Sequence, residues 1–196
     1  MSRKSAHKQR TRIRILDEAA KAMRENGHEG ISVANLMKNA GLTHGGFYAH
    51  FKDRDNLVAE AIGRMFEDSK AMVARHRRLS QPREVLTALI DDYLSDDHRQ
   101  RVGSGCPIAA LGSEAARLPE TARRRFEEGL STFRNSLRNA IAETGVESPD
   151  SVASFALSEM VGALTLARAT RNVTEANDLL DHVREQLKRR LGLLVD

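Results

Sequence analysis

Apolar positions recur along nearly the whole chain at intervals of three and four, the spacing that gathers one face of an α-helix. Ile13, Leu16, Ala20 and Met23 predict a first helix that begins at Thr11 and is stopped by Asn26-Gly27. Ahead of it, residues 2–10 read as a basic, frayed arm. Val33, Leu36, Met37 and Ala40 predict a short second helix, and Phe47 and Phe51 a third. Leu57, Ala61, Met65 and Val73 mark the buried side of a long helix capped by Asp53 and running to about Arg77. Val85, Leu86, Leu89, Ile90 and Tyr93 follow Pro82 on one more apolar face, and the polar residues 95–101 read as a loop. Phe126, Leu130, Phe133, Leu137 and Ile141 form a continuous seam on a helix from Pro119 to about Glu143. The last two helices are expected at 149–171 and 174–194. In the first, Val152, Ala156, Met160, Ala163 and Ala167 share a face while Phe155, Leu157, Val161, Leu164 and Leu166 spread round the others, so it needs partners on several sides. In the second, Ala176, Leu180, Val183, Leu187, Leu191 and Leu194 make a stripe. The fold class is all-α.

Residues 32–57 depart from this plain amphipathic pattern. Gly41 stands where a helix ends in the left-handed conformation that glycine reaches cheaply. Leu42 turns back to the core, and Thr43 is placed to cap the next helix through its hydroxyl. Gly45 and Gly46 each cost about 1 kcal/mol relative to alanine inside a helix. Two of them together suit a backbone that something approaches closely. Thr43, His44, Tyr48 and His50 occupy the remaining face, with Lys52 and Arg54 just beyond, and groups of this kind donate to phosphates and base edges. The arrangement reads as a helix-turn-helix with 43–50 as the recognition helix.

Charge changes the picture in one respect. Residues 1–56 hold 11 Lys and Arg against 6 Asp and Glu, whereas the rest holds 20 against 21. A basic first third on a neutral body is the footprint of a nucleic-acid-binding module. A single cysteine leaves no intrachain disulfide and fits a reducing cytoplasm. The basic N-terminus has no apolar stretch behind it, and no run of about 20 apolar residues marks a membrane span. Metal, nucleophile and phosphate-loop motifs are missing, and the seven histidines never fall at metal-ligand spacing. Neither an enzyme nor a cofactor or metal site is expected.

Residues 32–57 resemble the DNA-binding motif of TetR-family transcriptional regulators. The match runs through Ala40-Gly41-Leu42-Thr43-His44-Gly45-Gly46-Phe47-Tyr48-Ala49-His50-Phe51 and on to Arg54-Asp55-Asn56-Leu57. With the preceding helix it covers roughly the first 65 residues; the remainder is similar to the family in length and helicity. The resemblance implies a DNA-binding domain at 1–56 and a larger helical regulatory and dimerisation domain at 57–196. It implies that Tyr48, His50 and Arg54 contact phosphates, helped by Ser32 and Lys52, while Thr43, His44 and Gly46 sit at base edges with Gly45 beside them. Thr11 is open between a phosphate contact and a plain N-cap. The expected partners are a palindromic double-stranded operator, a second copy paired through the last two helices, and a small-molecule or electrophile effector that releases a repressor from DNA. A constitutive architectural DNA binder is the alternative.

Within the larger domain, Cys106 lies between Gly105 and Pro107 at a predicted helix start, a place that lowers a thiol's pKa. It is open between a reactive sensor and a small residue filling space. Phe126, Phe133 and Met160 are the other candidates for ligand contact, against the alternative that their seams are simply core.

Overall fold

The computed structural model describes residues 3–76, 78–79 and 81–194, the side chains of residues 3, 4 and 44 excepted; Ser2 and Arg77 of the expectations above lie outside it. Helix α1 (Arg3–Asn26) begins eight residues earlier than its predicted start at Thr11. The arm is helical because no glycine or proline interrupts it and its lysines, arginines and glutamine are good helix formers. Thr11 is therefore not a cap but sits inside α1, only 7% exposed.

Helix α2 (Val33–Asn39) starts at Ser32, whose hydroxyl accepts from the Asn35 N–H at 3.4 Å. Gly41 then takes φ +67°, as the helix stop requires. The predicted recognition helix is a 3₁₀ helix, His44–Ala49, and the Thr43 hydroxyl makes no capping bond. Two adjacent glycines weaken α-helical preference here, and the tighter helix suits a short piece.

Asp53 caps α3 (Arg54–His76), its Oδ1 accepting from the Asn56 N–H at 2.8 Å. Helix α4 (Pro82–Tyr93) opens on its proline. The segment read as a loop contains α5 (Asp96–Gln100), whose cap is the Ser95 hydroxyl accepting from His98 N–H at 3.0 Å. Helices α6 (Pro107–Leu111), α7 (Glu120–Ala142), α8 (Pro149–Ala169) and α9 (Val173–Arg190) complete the chain, and no strand occurs among the described residues.

Helix α3 is the spine. It packs on α1 at one side and on α7 at another, α7 packs on α8, and α8 on α9. Gly129 permits the closest of these approaches: a Cβ there would fall 2.1 Å from Cδ2 of Phe66. Phe126 meets the same ring edge-on at 5.6 Å, so the expected ligand contact is a core contact between α3 and α7. Helix α8 is long and apolar enough to span a membrane by length and composition alone, where the sequence reading expects no such stretch. Its Ala153, Leu157, Met160 and Leu164 are buried in the bundle, while Phe155 and Leu166 on the opposite side are 70% and 59% exposed.

Candidate DNA interface and effector cavity

The 3₁₀ helix is held from beneath by aromatic packing. Phe47 and Phe51 are both 2% exposed and stack at 5.6 Å between ring centres, with the Arg12 guanidinium 4.9 Å above Phe51. Arg12 also pairs with Glu60 of α3, which ties α1 to this platform. The outward side has no such internal partners. Tyr48 is 70% exposed and meets the Phe47 ring edge to face, while Thr43, Gly45 and Lys52 are exposed as well. A Cβ on Gly45 would meet nothing within 4 Å, and one on Gly46 would make ordinary contacts with Met37 and Thr43 at 3.6 and 3.7 Å. Neither glycine is required by the chain's own packing. The side chain of His44 lies outside the described residues.

Along this surface, α1 and the 3₁₀ helix enclose an open cleft of about 650 Å³ lined by Ser5, His7, Lys8, Thr11, Leu42, Ala49 and His50. The half-buried His50 has a buried Nδ1 without a hydrogen-bond partner. Its pKa is lowered by burial first and then by the charges of Lys8 and Arg12. The helical start of α1 thus brings Lys8 beside the predicted recognition residues, a placement hidden while residues 2–10 read as a frayed arm. Arg54 behaves otherwise than expected. It is half-buried, and its Nη2 donates to the carbonyl oxygen of His28 at 2.7 Å, so it anchors the loop between α1 and α2.

That loop is fastened a second time from the body. Glu114 Oε2 accepts from the His28 backbone N–H at 3.0 Å and pairs with His28 Nδ1 at 2.7 Å. Burial alone would raise the Glu114 pKa, but the bonds from His28 outweigh it and hold the carboxyl low. The last turn of α1 is itself fastened to the body by Arg24, whose side chain is 2% exposed. It donates to the Met65 carbonyl at 3.1 Å, to Asp68 at 2.9 Å and to the Gly103 carbonyl at 3.2 Å. Sequence reasoning missed this residue; the available signal was a cation four residues beyond Ala20, on the apolar side of α1.

Asp68 also belongs to the wall of a cavity of about 610 Å³. Ser69, Met72, Arg75 and Arg78 extend that wall beside α3, Asp92 comes from α4, and His98, Arg101, Ser104, Gly105, Cys106 and Phe133 close it. The imidazole of His98 is fixed by two bonds, Nδ1 to the Tyr93 carbonyl at 2.7 Å and the Cys106 N–H to Nε2 at 3.0 Å. A carbonyl needs a donor and an N–H needs an acceptor, so the ring is neutral with its proton on Nδ1. Burial, first of all, lowers its pKa accordingly. Arg168 donates to the carbonyls of His98 and Arg99 at 2.9 and 3.2 Å and closes the end of α5.

Cys106 does stand at the N-cap of α6, but the expected lowering of its pKa is reversed. The thiol is 5% exposed, and burial raises it by more than the Tyr93 hydroxyl and the N–H groups of Ala109 and Ile108 lower it. Five helical residues cannot offset the loss of water around a thiolate. Of the other ligand candidates, Phe133 lines the cavity, whereas Met160 lines a separate small apolar pocket of about 10 Å³ that shares Met72 and Phe133 with it.

A groove of about 370 Å³ between α8 and α9 is lined by Gly162, Leu166, Leu179, Val183 and neighbouring polar residues. A Cβ on Gly162 would meet nothing within 4 Å there.

Comparison with known proteins agrees with this arrangement at both ends of the chain. Residues 15–61 match the family model of bacterial regulatory proteins, tetR family, and residues 82–186 match that of the LmrA/YxaF-like transcriptional regulator C-terminal domain. An uncharacterized HTH-type transcriptional regulator of Mycobacterium tuberculosis is 30% identical over 190 residues, spanning 90% of this chain and 92% of that protein. The HTH-type transcriptional repressor DhaR of a Mycobacterium species is 23% identical over 188 residues, 91% of this chain and 93% of DhaR. Among solved structures, a TetR transcriptional regulator from Chloroflexus aurantiacus superposes with a TM-score of 0.82 at 23% identity, over 95% of this chain and 96% of that one. Two family models along one chain, a relative matched over nearly its whole length and a shared fold lead to one conclusion: this chain belongs to the tetR family of DNA-binding transcriptional regulators, and it is not an enzyme.

Proposed function

We propose that the chain is a repressor that binds a palindromic operator as a homodimer and leaves it when an effector fills the cavity beside α3. The observation that carries this reading is the outward face of the 3₁₀ helix. Tyr48, Gly45 and Thr43 are exposed without internal purpose, and Lys8 and His50 share the adjoining cleft. In this reading Thr43, His44, Gly45 and Gly46 lie at base edges, and Ser32, Tyr48, His50, Lys52 and Lys8 meet phosphates. Arg54 acts by holding the 28–32 loop in place. Residues 1–56 form the reading domain and 57–196 the body, with a cytoplasmic place of action at the chromosome.

Dimerisation through α8 and α9 is supported by the exposed Phe155 and Leu166 and the half-buried Gly162, which share one helical face, the last two lining the groove. A repressor role is supported by DhaR, a repressor similar along its length. The response to an effector is supported by Arg24, which joins α1 to Asp68 of the cavity wall and to Gly103 beside it. A ligand that prefers an arrangement without these bonds shifts the population away from the DNA-binding form.

Fluorescence anisotropy on the chain's own upstream DNA, with a scrambled duplex beside it, tests the reading. The expected preference is about 10³ or more at physiological salt. Tyr48→Ala should lose most of that binding while circular dichroism and melting stay unchanged. A folded protein that binds neither duplex at low salt removes the recognition role of 43–50.

A further inference from the structure

The charges around the cavity beside α3 do not cancel. Asp68 is taken by Arg24 and Arg64, and Asp92 pairs with His76 Nε2 at 3.0 Å. Arg101 is committed to Asp97 at 2.5 Å. His98 has both ring nitrogens bonded and is neutral. Arg75 and Arg78 line the same wall, are exposed, and have no ion-pair partner among the described residues. Two guanidinium groups are thus the uncommitted charges of the site.

Part of the same wall is apolar. Met72, one turn before Arg75 on α3, Phe133 and the buried Cys106 line the space, and Met72 and Phe133 also line a small apolar pocket with Leu89, Leu137 and Met160. The fully buried Tyr93, its hydroxyl without a hydrogen-bond partner, lines the small apolar pocket and lies near Cys106. A volume of about 610 Å³ is that of a small-molecule site.

We propose that the cavity binds an organic anion, a carboxylate held by Arg75 and Arg78 with an alkyl or aryl body laid on Met72 and Phe133. The planar guanidinium fork matches a carboxylate with two parallel bonds. A cationic ligand meets two free guanidinium groups and finds both nearby carboxylates occupied, so repulsion is uncompensated. The assignment rests on reading this cavity as the effector site.

Calorimetry with 4-phenylbutyrate, 4-phenylbutanol and 4-phenylbutylamine tests it, because the three share one apolar body and differ in charge. The carboxylate is expected to bind about tenfold or more tighter than the alcohol, the amine weakest, since a hydrogen bond to a charged group contributes about 1.5 kcal/mol or more. The double variant Arg75→Ala, Arg78→Ala changes only exposed side chains and should bring the carboxylate down to the alcohol's affinity, the alcohol itself unchanged. Equal binding of all three, preference for the amine, no binding of any, or a carboxylate affinity untouched by the double variant overturns the assignment. Release of operator DNA is measured separately. Carboxylate binding without release keeps the ligand class and removes the effector reading; release by another compound, with no carboxylate bound, does the reverse.

Discussion

A methyl group added to Gly129 would lie 2.1 Å from the Phe66 ring, and one added to Gly105 would lie 2.4 Å from the Arg168 guanidinium. The same methyl on Gly45 would meet nothing within 4 Å. All three are glycines in or beside helical segments, yet they stand for opposite reasons. At the α3–α7 contact and under α5, neighbouring side chains occupy the space a Cβ would need, and the polar groups around them are bonded to one another. On the 3₁₀ helix the space is empty and the polar side chains are unpaired. These two body glycines are accounted for by their own neighbours; Gly45 has no such neighbour, which is the contrast the proposed DNA contact would explain.

The sharpest way to break this contrast is Gly129→Ala. Alanine is the better helix former by about 1 kcal/mol, yet overpacking a tight contact costs about 1 to 3 kcal/mol. Urea unfolding should show a net loss of stability, and a more stable variant would mean that α3 and α7 part without cost.

The commitment of the body's polar groups can be read through pH. His98 has a folded pKa below its ordinary value, through burial, with Arg168 and Arg101 lowering it and the Tyr93 carbonyl and Asp92 opposing them. The unfolded chain therefore takes the proton first, so this contribution is complete above about pH 6.5 and declines as pH falls through that value toward the folded pKa. One such group gives a slope of at most about 1.4 kcal/mol per pH unit. Between pH 7.5 and 5.5 the urea midpoint should fall, and His98→Asn should be less stable at pH 7.5 with a shallower decline. An equal decline in the variant would assign the pH response to other groups.

Gly45→Ala should have the smallest effect on folding, within about 0.5 kcal/mol of the parent, as for other surface changes without internal contacts. DNA anisotropy should nevertheless show a loss of affinity of about tenfold, one misplaced contact's worth. Unchanged affinity would leave the glycine without a reason on either side.

The apolar periodicity placed all the long helices, because burial of one face repeats every turn and is written locally. The turn at Gly41, the cap at Asp53 and the platform of Phe47 and Phe51 were legible for the same reason. The errors share a cause: they concern groups whose partner is distant in sequence. Arg54 looked free until the His28 carbonyl, 26 residues away, came within 2.7 Å. Cys106 looked acidic because its helix start is local, whereas its burial is made by the surrounding fold. Arg24 was overlooked because its partners are 41, 44 and 79 residues away. The 3₁₀ helix was a different miss, since two glycines were counted as a cost to an α-helix but not as a reason to tighten it.

Helix α3 has 23 residues and no break, so it is a rod of about 34 Å. Its first residue grips the loop that carries α2, and its later turns border the cavity. Rigid rods magnify small rotations. Tilting this one by about 5° at its cavity end would carry its far end some 3 Å, close to the axial rise of about 3.4 Å per phosphate along one DNA strand. A displacement that a bound molecule needs to accommodate a few atoms would thus arrive at the other end as a shift comparable to the rise of one base pair.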